Sequence, residues 1–505
     1  MNAHWMEPED AVKLGLFEER NAAGVADGVL IGTSAKQGRY IWYRGDGHTM
    51  IIAPPGSGKG QGFVIPNCLH YPGSMLVIDP KGENAAITAR HRRDTLGHEV
   101  HIIDPFGVSR LGKEFSHAAL NPLDWLLTTD PLRFMADCYL LAQALVAPEA
   151  AQHQHFHTEA VYLMRALILY LYAHEPQNLN LVRLRALAFS EQKIWMGVFK
   201  LMADSEVEDL EVRRAVREAG NRFLGLDEKA QQTHRSTVQK NLEWLSGPAL
   251  KDTVLSSSFD VKAFKGKRQT VYLCIPGETR ELYKPYVRCL LTLVILGLYR
   301  TSGKGDMPVQ LMCDEFYSTI GYLKLVEEGV ADLRGHGARF AFVFQDLSQL
   351  QHLYPETWKL VETSCGAVIY IGAADDTAEH LSKRLGDTDF VQVPGGVYFE
   401  GEVERRPVLA RRPLMTPQSI KELGVRKEIV LMQHMPPIRC DRVTAYEDPN
   451  FMSLLGDNPM LKAAPAPTAA APPRAKRVRT VEDYVADEAN PDAAIKRKIE
   501  NAGMD

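Results

Sequence analysis

Eight residues, Ala53-Pro54-Pro55-Gly56-Ser57-Gly58-Lys59-Gly60, set three glycines and a lysine directly behind an apolar run. Glycine reaches positive φ, so a loop built on it can turn successive N–H groups inward around a phosphate. A lysine there meets the β- and γ-phosphates, and a helix N-terminus behind the loop adds further donors. Pro55, Gly56, Ser57, Gly58, Lys59, Gly60 and Gln61 are therefore the candidate binding residues for ATP. Two positions depart from the general pattern. Ala53 stands where the first glycine is usual, and Gly60 stands where Ser or Thr normally offers a hydroxyl to Mg²⁺.

A second constellation, Val309-Gln310-Leu311-Met312-Cys313-Asp314-Glu315, is an apolar strand ending in two acids. Asp314 there is suited to hold Mg²⁺, usually through water, and Glu315 to polarise the attacking water. Alone such a pair is often a solvated turn; behind a phosphate loop it gains weight. Gln345 closes the next strand, where it could touch the γ-phosphate or the water, or be an ordinary strand-end glutamine. Arg334, in Asp332-Leu333-Arg334-Gly335-His336-Gly337, is a candidate arginine finger acting across a subunit interface; a surface salt bridge is the alternative. His153, His155 and His157 alternate as metal ligands on a strand would. They lead into a helical pattern, where i and i+2 diverge, so a solvated helix entry is the simpler reading.

The elements that must position these groups follow from the apolar pattern. Short apolar runs at Arg39–Arg44, Thr49–Ala53, Met75–Ile78, Val100–Ile103, Thr270–Ile275, Val309–Cys313, Arg339–Gln345, Ala367–Ile371 and Glu428–Gln433 read as strands. Separated by helical stretches, they predict a parallel α/β sheet, whose ligands sit outside the carboxyl ends of the strands. The turns Asp79-Pro80-Lys81-Gly82 and Asp104-Pro105-Phe106-Gly107 fall at such ends. Between 126 and 261 the period changes. Ala160, Leu163, Leu167 and Leu171 recur at helical spacing, which predicts an all-α domain inserted into a nucleotide-binding domain of residues 1–125 and 262–458. From 459 to 505 a Pro/Ala linker leads to a basic patch, Arg474–Arg479, and then an acidic-hydrophobic segment. The patch reads as solvated surface or as a tethered partner-binding peptide.

Composition bounds the rest. The chain has 505 residues, 45% hydrophobic and 24% charged, with a net charge of −5. A protein that coats duplex DNA is usually basic, so any nucleic-acid contact here is expected to be local. Seven scattered cysteines without CxxC spacing predict inert thiols in a reducing compartment. The most apolar stretches, Ala160–Ala173 and Cys289–Tyr299, are shorter than the ~20 residues a membrane span needs and predict buried helices.

With these motifs in hand, the sequence resembles the type IV secretion coupling proteins of the TraG/TrwB type, RecA-like P-loop ATPases related to the FtsK and HerA motors. The resembling segments are 47–67, 72–83, 121–124 (NPLD), 311–316, 344–350, 374–386 and 436–448. Within that family a glycine after the P-loop lysine does occur. The resemblance implies a homo-hexamer with ATP and Mg²⁺ at the subunit interfaces and a central channel. It implies an all-α domain that receives a relaxase–DNA complex or protein effectors, and work on single-stranded DNA beside the type IV secretion machinery at the bacterial inner membrane. The family's roles fall on Lys59, Asp314, Glu315, Gln345 and Arg334. Such proteins usually start with a transmembrane anchor, and none is legible here. Either it was removed, or this is a cytoplasmic member docked peripherally on another membrane component. Two further readings stay open: a nucleotide-gated receptor with little or no hydrolysis, and a DNA motor unrelated to secretion.

Overall fold

The computed structural model describes residues 3–19, 28–34, 39–112, 114–147, 154–303, 305, 307–392 and 408–458. The tail with its linker and basic patch, and His153, lie outside them. The strands are β1 (Phe17–Glu19), β2 (Val29–Ser34), β3 (Arg39–Tyr43), β4 (His48–Ile52), β5 (Met75–Ile78), β6 (Glu99–Ile103), β7 (Gln269–Leu273), β8 (Val309–Cys313), β9 (Ala338–Phe344), β10 (Cys365–Ile371), β11 (Asp387–Gln392), β12 (Val408–Pro413), β13 (Lys427–Met432) and β14 (Ile438–Asp441).

Twelve strands form one sheet in the order β1-β3-β2-β14-β13-β10-β4-β9-β8-β5-β7-β6, and β11 pairs with β12 apart from it. From β10 to β6 every pairing is parallel. The expectation of a parallel sheet is corrected at the other end, where β13, β14, β2, β3 and β1 pair antiparallel. Short links join β2 to β3 and β13 to β14 and allow only hairpins at those two pairings, whereas parallel neighbours need a long crossover.

Alternation along β4 fixes the two faces of the sheet. Met50 and Ile52 enter one core, shared with the helices of the middle segment, and Ile51 enters the other, with Phe63, Val64 and Val77. Both faces are dry, which is why the parallel strands read as continuous apolar runs.

The crossover from β6 to β7 holds the helical segment. Among the described residues it contains no strand, and its main helices are Phe134–Leu145, Gln154–His174, Leu181–Ala188, Gln192–Ala203, Leu210–Leu224 and Glu228–Leu242. Ala160, Leu163, Leu167 and Leu171 are all buried. Asp209, Asp227 and Asn180 cap three of these helices through their side-chain oxygens. The chain is thus an α/β, RecA-like P-loop fold carrying an inserted all-α part.

After β7 the helix Arg280–Arg300 crosses beneath the sheet. Among the described residues it alone is long and apolar enough to span a membrane, and most of it is buried in the molecule. The arginines that bound its apolar run find partners inside the protein. Arg288 Nε donates to the Ala144 carbonyl at 2.9 Å, and Arg300 forms a bidentate pair with buried Asp137. All seven cysteines are free and buried, as inert thiols should be.

Candidate functional site

Because β4, β9, β8, β5, β7 and β6 run parallel as neighbours, their carboxyl ends meet along one edge of the sheet. The loop after β4 begins where Ala53 N–H donates to the Phe344 carbonyl at 3.0 Å, which joins it to the end of β9. Gly56 and Gly58 take φ of +76° and +81°, the left-handed region that the cradle requires. Ser57 is buried, and its Oγ has no hydrogen-bond partner in the protein. Lys59 then leads into one wide helical turn, Gly60–Val64, and the helix Ile65–His70.

Arg442 supports this loop from below. Its Nη1 donates to the Gly58 carbonyl at 3.0 Å, and its Nε to the Val425 carbonyl at 2.9 Å. A Cβ at Gly58 would lie 2.6 Å from the guanidinium carbon, and one at Gly62 2.7 Å from Arg442 Cγ. These two glycines therefore admit the arginine as well as the turn. At Gly56 and Gly60, by contrast, a Cβ would meet nothing within 4 Å.

One strand beyond β9, Asp314 ends β8. Its Oδ1 is buried and unpartnered. Burial is the main reason its carboxyl is pushed up to about 6; Glu315 adds to the rise, while the Lys59 and Lys81 ammonium groups oppose it. Asp79, at the end of β5, is pushed up to about 7 by burial, with Asp314, Glu83 and Asp104 adding repulsion. It also accepts Ala85 N–H at 2.8 Å and Asn84 Nδ2 at 3.1 Å, which ties the site to the helix Glu83–Asp94. Asp104, after β6, is occupied by Val108 N–H, Ser109 N–H and Ser109 Oγ.

Glu315 follows in the left-handed conformation, φ +53°. Its Oε2 accepts Arg280 Nη1 and, at 3.3 Å, Ser318 Oγ. Gln345 closes β9 between the loop and the acidic pair, and its N–H donates to Gln349 Oε1 at 3.0 Å.

The structure therefore brings Pro55–Gln61, Asp314, Glu315 and Gln345 to one edge. It does not bring Arg334 there. That residue precedes β9, exposed in the turn Leu333–His336, and lines a shallow hollow with Asp46 and Asp332. The seven residues of β9 separate the two ends by roughly 20 Å at ~3.3 Å per residue. Among the described residues, no three His, Cys, Asp or Glu side chains are placed to hold a metal by themselves. The edge can hold a polyanion against the loop and Lys59, and a cation at the free oxygen of Asp314.

Sequence reasoning gave no role to Arg280, Lys81 or Arg442. Lys81 was legible in the Asp-Pro turn at a strand's carboxyl end. Arg280 and Arg442 carry no such signal, since their partners lie far away in sequence.

The comparisons agree with this architecture. The chain is 28% identical to "Protein VirD4" of Rhizobium rhizogenes over 419 residues, 81% of this chain and 60% of that protein. It is 24% identical to "Conjugal transfer protein TraG" of Agrobacterium fabrum over 496 residues, 90% of this chain and 72% of that one. The chain thus spans about 60% of the length of the VirD4 relatives it matches. Among solved structures it is similar to the bacterial conjugative coupling protein TrwBdeltaN70 in its unbound form. The TM-score is 0.66 at 14% identity, over 87% of this chain and 92% of that one. It is also similar to TrwB in complex with ADP and Mg²⁺, at a TM-score of 0.63 and 14% identity, over 88% and 94%. The family model for type IV secretory system conjugative DNA transfer matches residues 4–466, most of the chain, and the chain belongs to that family.

Proposed function

We propose that the chain is the nucleotide-driven coupling protein of a type IV secretion system, binding Mg-ATP and using its hydrolysis to pass DNA, or a relaxase–DNA complex, into the channel. One observation carries the nucleotide part: two buried oxygens without partners, Ser57 Oγ and Asp314 Oδ1, stand at the glycine loop and at the acidic strand end of the same edge. Buried polar atoms are almost always paired, so orphans at such an edge fit a group that arrives with its own donors and cation. The TrwB structures with ADPNP and with ADP and Mg²⁺ support the same ligand here.

In this reading Mg²⁺ supplies charge neutralisation for the β- and γ-phosphates. Loop N–H groups and Lys59 hold the phosphates, and Asp314 holds the hydrated cation. Glu315 draws the proton from the attacking water, and Gln345 orients that water. Arg334, at the opposite end of the sheet, serves the nucleotide of a neighbouring subunit in a homo-hexamer. Residues 126–261 form the cargo-receiving domain inserted between 1–125 and 262–458, and the protein works at the cytoplasmic side of the inner membrane. A nucleotide-gated receptor without turnover is the second reading. Gly60 favours it, because that position offers no hydroxyl to Mg²⁺.

The test is ATPase rate against protein concentration, with and without single-stranded DNA, for wild type and Arg334→Ala. The ring motor requires a rate per subunit that rises with concentration or DNA and collapses in the variant. A flat, negligible rate with demonstrable ATP binding selects the receptor.

A further inference from the structure

The helix Arg280–Arg300 touches both halves of the proposed machine through three arginines. At its first residue, Arg280 pairs with the Glu315 carboxylate. At its middle, Arg288 donates to the Ala144 carbonyl, the last turn of the helix Phe134–Leu145. At its last residue, Arg300 holds Asp137 on that same helix. Asp137 is fully buried and also accepts Trp125 Nε1 at 2.8 Å and Thr129 Oγ1 at 2.6 Å. Burial works against its charge, but the hydrogen bonds from Arg300, Thr129 and Trp125 outweigh this and hold its carboxyl below the usual range. The far end of the long helix is thus firmly joined to the helical segment.

Its near end is looser. Pro285 stands inside the helix and has no N–H for the Glu281 carbonyl, so the turn that bears Arg280 lacks a bond that later turns have. Glu315 is held in a conformation that non-glycine residues rarely adopt. Arg280 Nη1 occupies the Glu315 Oε2 that would face the water. The same oxygen must leave Arg280 before it can take a proton from water.

We infer that Arg280 is a positioning residue that restrains Glu315 in the resting subunit, and that the helix Arg280–Arg300 relays movement of the helical segment to this pair. The inference rests on the hydrolytic reading of the site. Cargo that shifts the helix Phe134–Leu145 pulls on Arg288 and Arg300, draws the first turn away and frees Glu315. Hydrolysis thereby follows engagement of cargo.

The test uses the full chain, with single-stranded DNA as the probe for cargo, and measures kcat and KM for ATP in wild type, Arg280→Gln, Arg280→Lys and Glu315→Gln. In Arg280→Gln the DNA-free kcat is expected to rise ~3- to 10-fold, a barrier change of at most one decade in rate, with KM unchanged and no further stimulation by DNA. Arg280→Lys, which keeps a cation, is expected to restore the low basal rate and the response. A lower basal kcat in Arg280→Gln overturns the restraint, and so do unchanged basal and stimulated rates. Equal turnover in wild type and Glu315→Gln overturns the hydrolytic reading along with it; loss of turnover in Glu315→Gln beside an Arg280→Gln whose DNA-free kcat does not rise overturns the restraint alone.

Discussion

An enclosed aspartate with a free oxygen weakens the fold until a cation reaches it, and Asp314 is such a residue. Its carboxyl, pushed up to about 6, holds a proton in the folded chain where the unfolded chain has released it. Its contribution to stability is therefore fully present below pH ~4 and lost as pH rises through about 6, a change on the order of 3 kcal/mol. Asp314→Asn should melt above wild type at pH 8 without nucleotide, the gap closing as pH falls to 4. The same variant should lose Mg²⁺-dependent nucleotide binding; equal melting at both pH values would remove the cost assigned to this carboxylate. Lys59→Ala is expected to abolish nucleotide binding, and Glu315→Gln to keep binding while turnover falls by at least 100-fold, both read by fluorescent-nucleotide titration beside phosphate release. These residues were legible because each motif lies on contiguous chain: a strand, a loop, and the residues that end it. Arg442 was not. Its bond to Gly58 spans 384 positions, and neither end contains a pattern that announces the other.

Among the elements, the glycine loop separates two demands that look alike in sequence. Gly58 has both a left-handed φ and Arg442 against it, so Gly58→Ala should cost ~2 kcal/mol or more and loosen nucleotide binding. Gly60 has open space where a side chain would go. Gly60→Ser should leave the folding stability within about 1 kcal/mol of wild type and strengthen the Mg²⁺ dependence of binding, measured by calorimetry with and without chelator. Loss of fold in Gly60→Ser would show that the wide turn itself demands glycine. The parallel strands were readable because both faces are buried and the apolar run is unbroken. β2 and β14 were not: Gly32 interrupts one, and the other is a four-residue strand with exposed Arg439. β2 has its place because Asn67, on the helix behind the P-loop, bonds both the N–H and the carbonyl of Leu30, a contact no local pattern displays.

For the whole molecule, the role proposed for Arg334 requires a second subunit. A side chain roughly 20 Å from the loop, at ~3.3 Å per residue along β9, cannot serve its own chain's phosphates. Mixing Lys59→Ala with Arg334→Ala, each inactive alone, should restore hydrolysis at up to about a quarter of the interfaces of a randomly assorted ring. No recovery after verified co-assembly would place the arginine outside the reaction. Subunit placement of this kind is invisible in one sequence, whereas the break in period at 126 that marks the helical segment is plain. The strand order also has a consequence for how the protein is made. β4, which leads into the P-loop, lies between β9 and β10, and β6 has β7 as its neighbour only across the helical segment. Contacts so distant in sequence form slowly. At ribosomal speeds the nascent chain carries β4 unpaired for roughly 15 to 60 s before β9 has been synthesised. Throughout that interval the open strand edges invite association with other chains. The edge that carries the glycine loop is completed only after the helical segment has emerged, so on the proposed reading a half-made subunit cannot yet hydrolyse ATP.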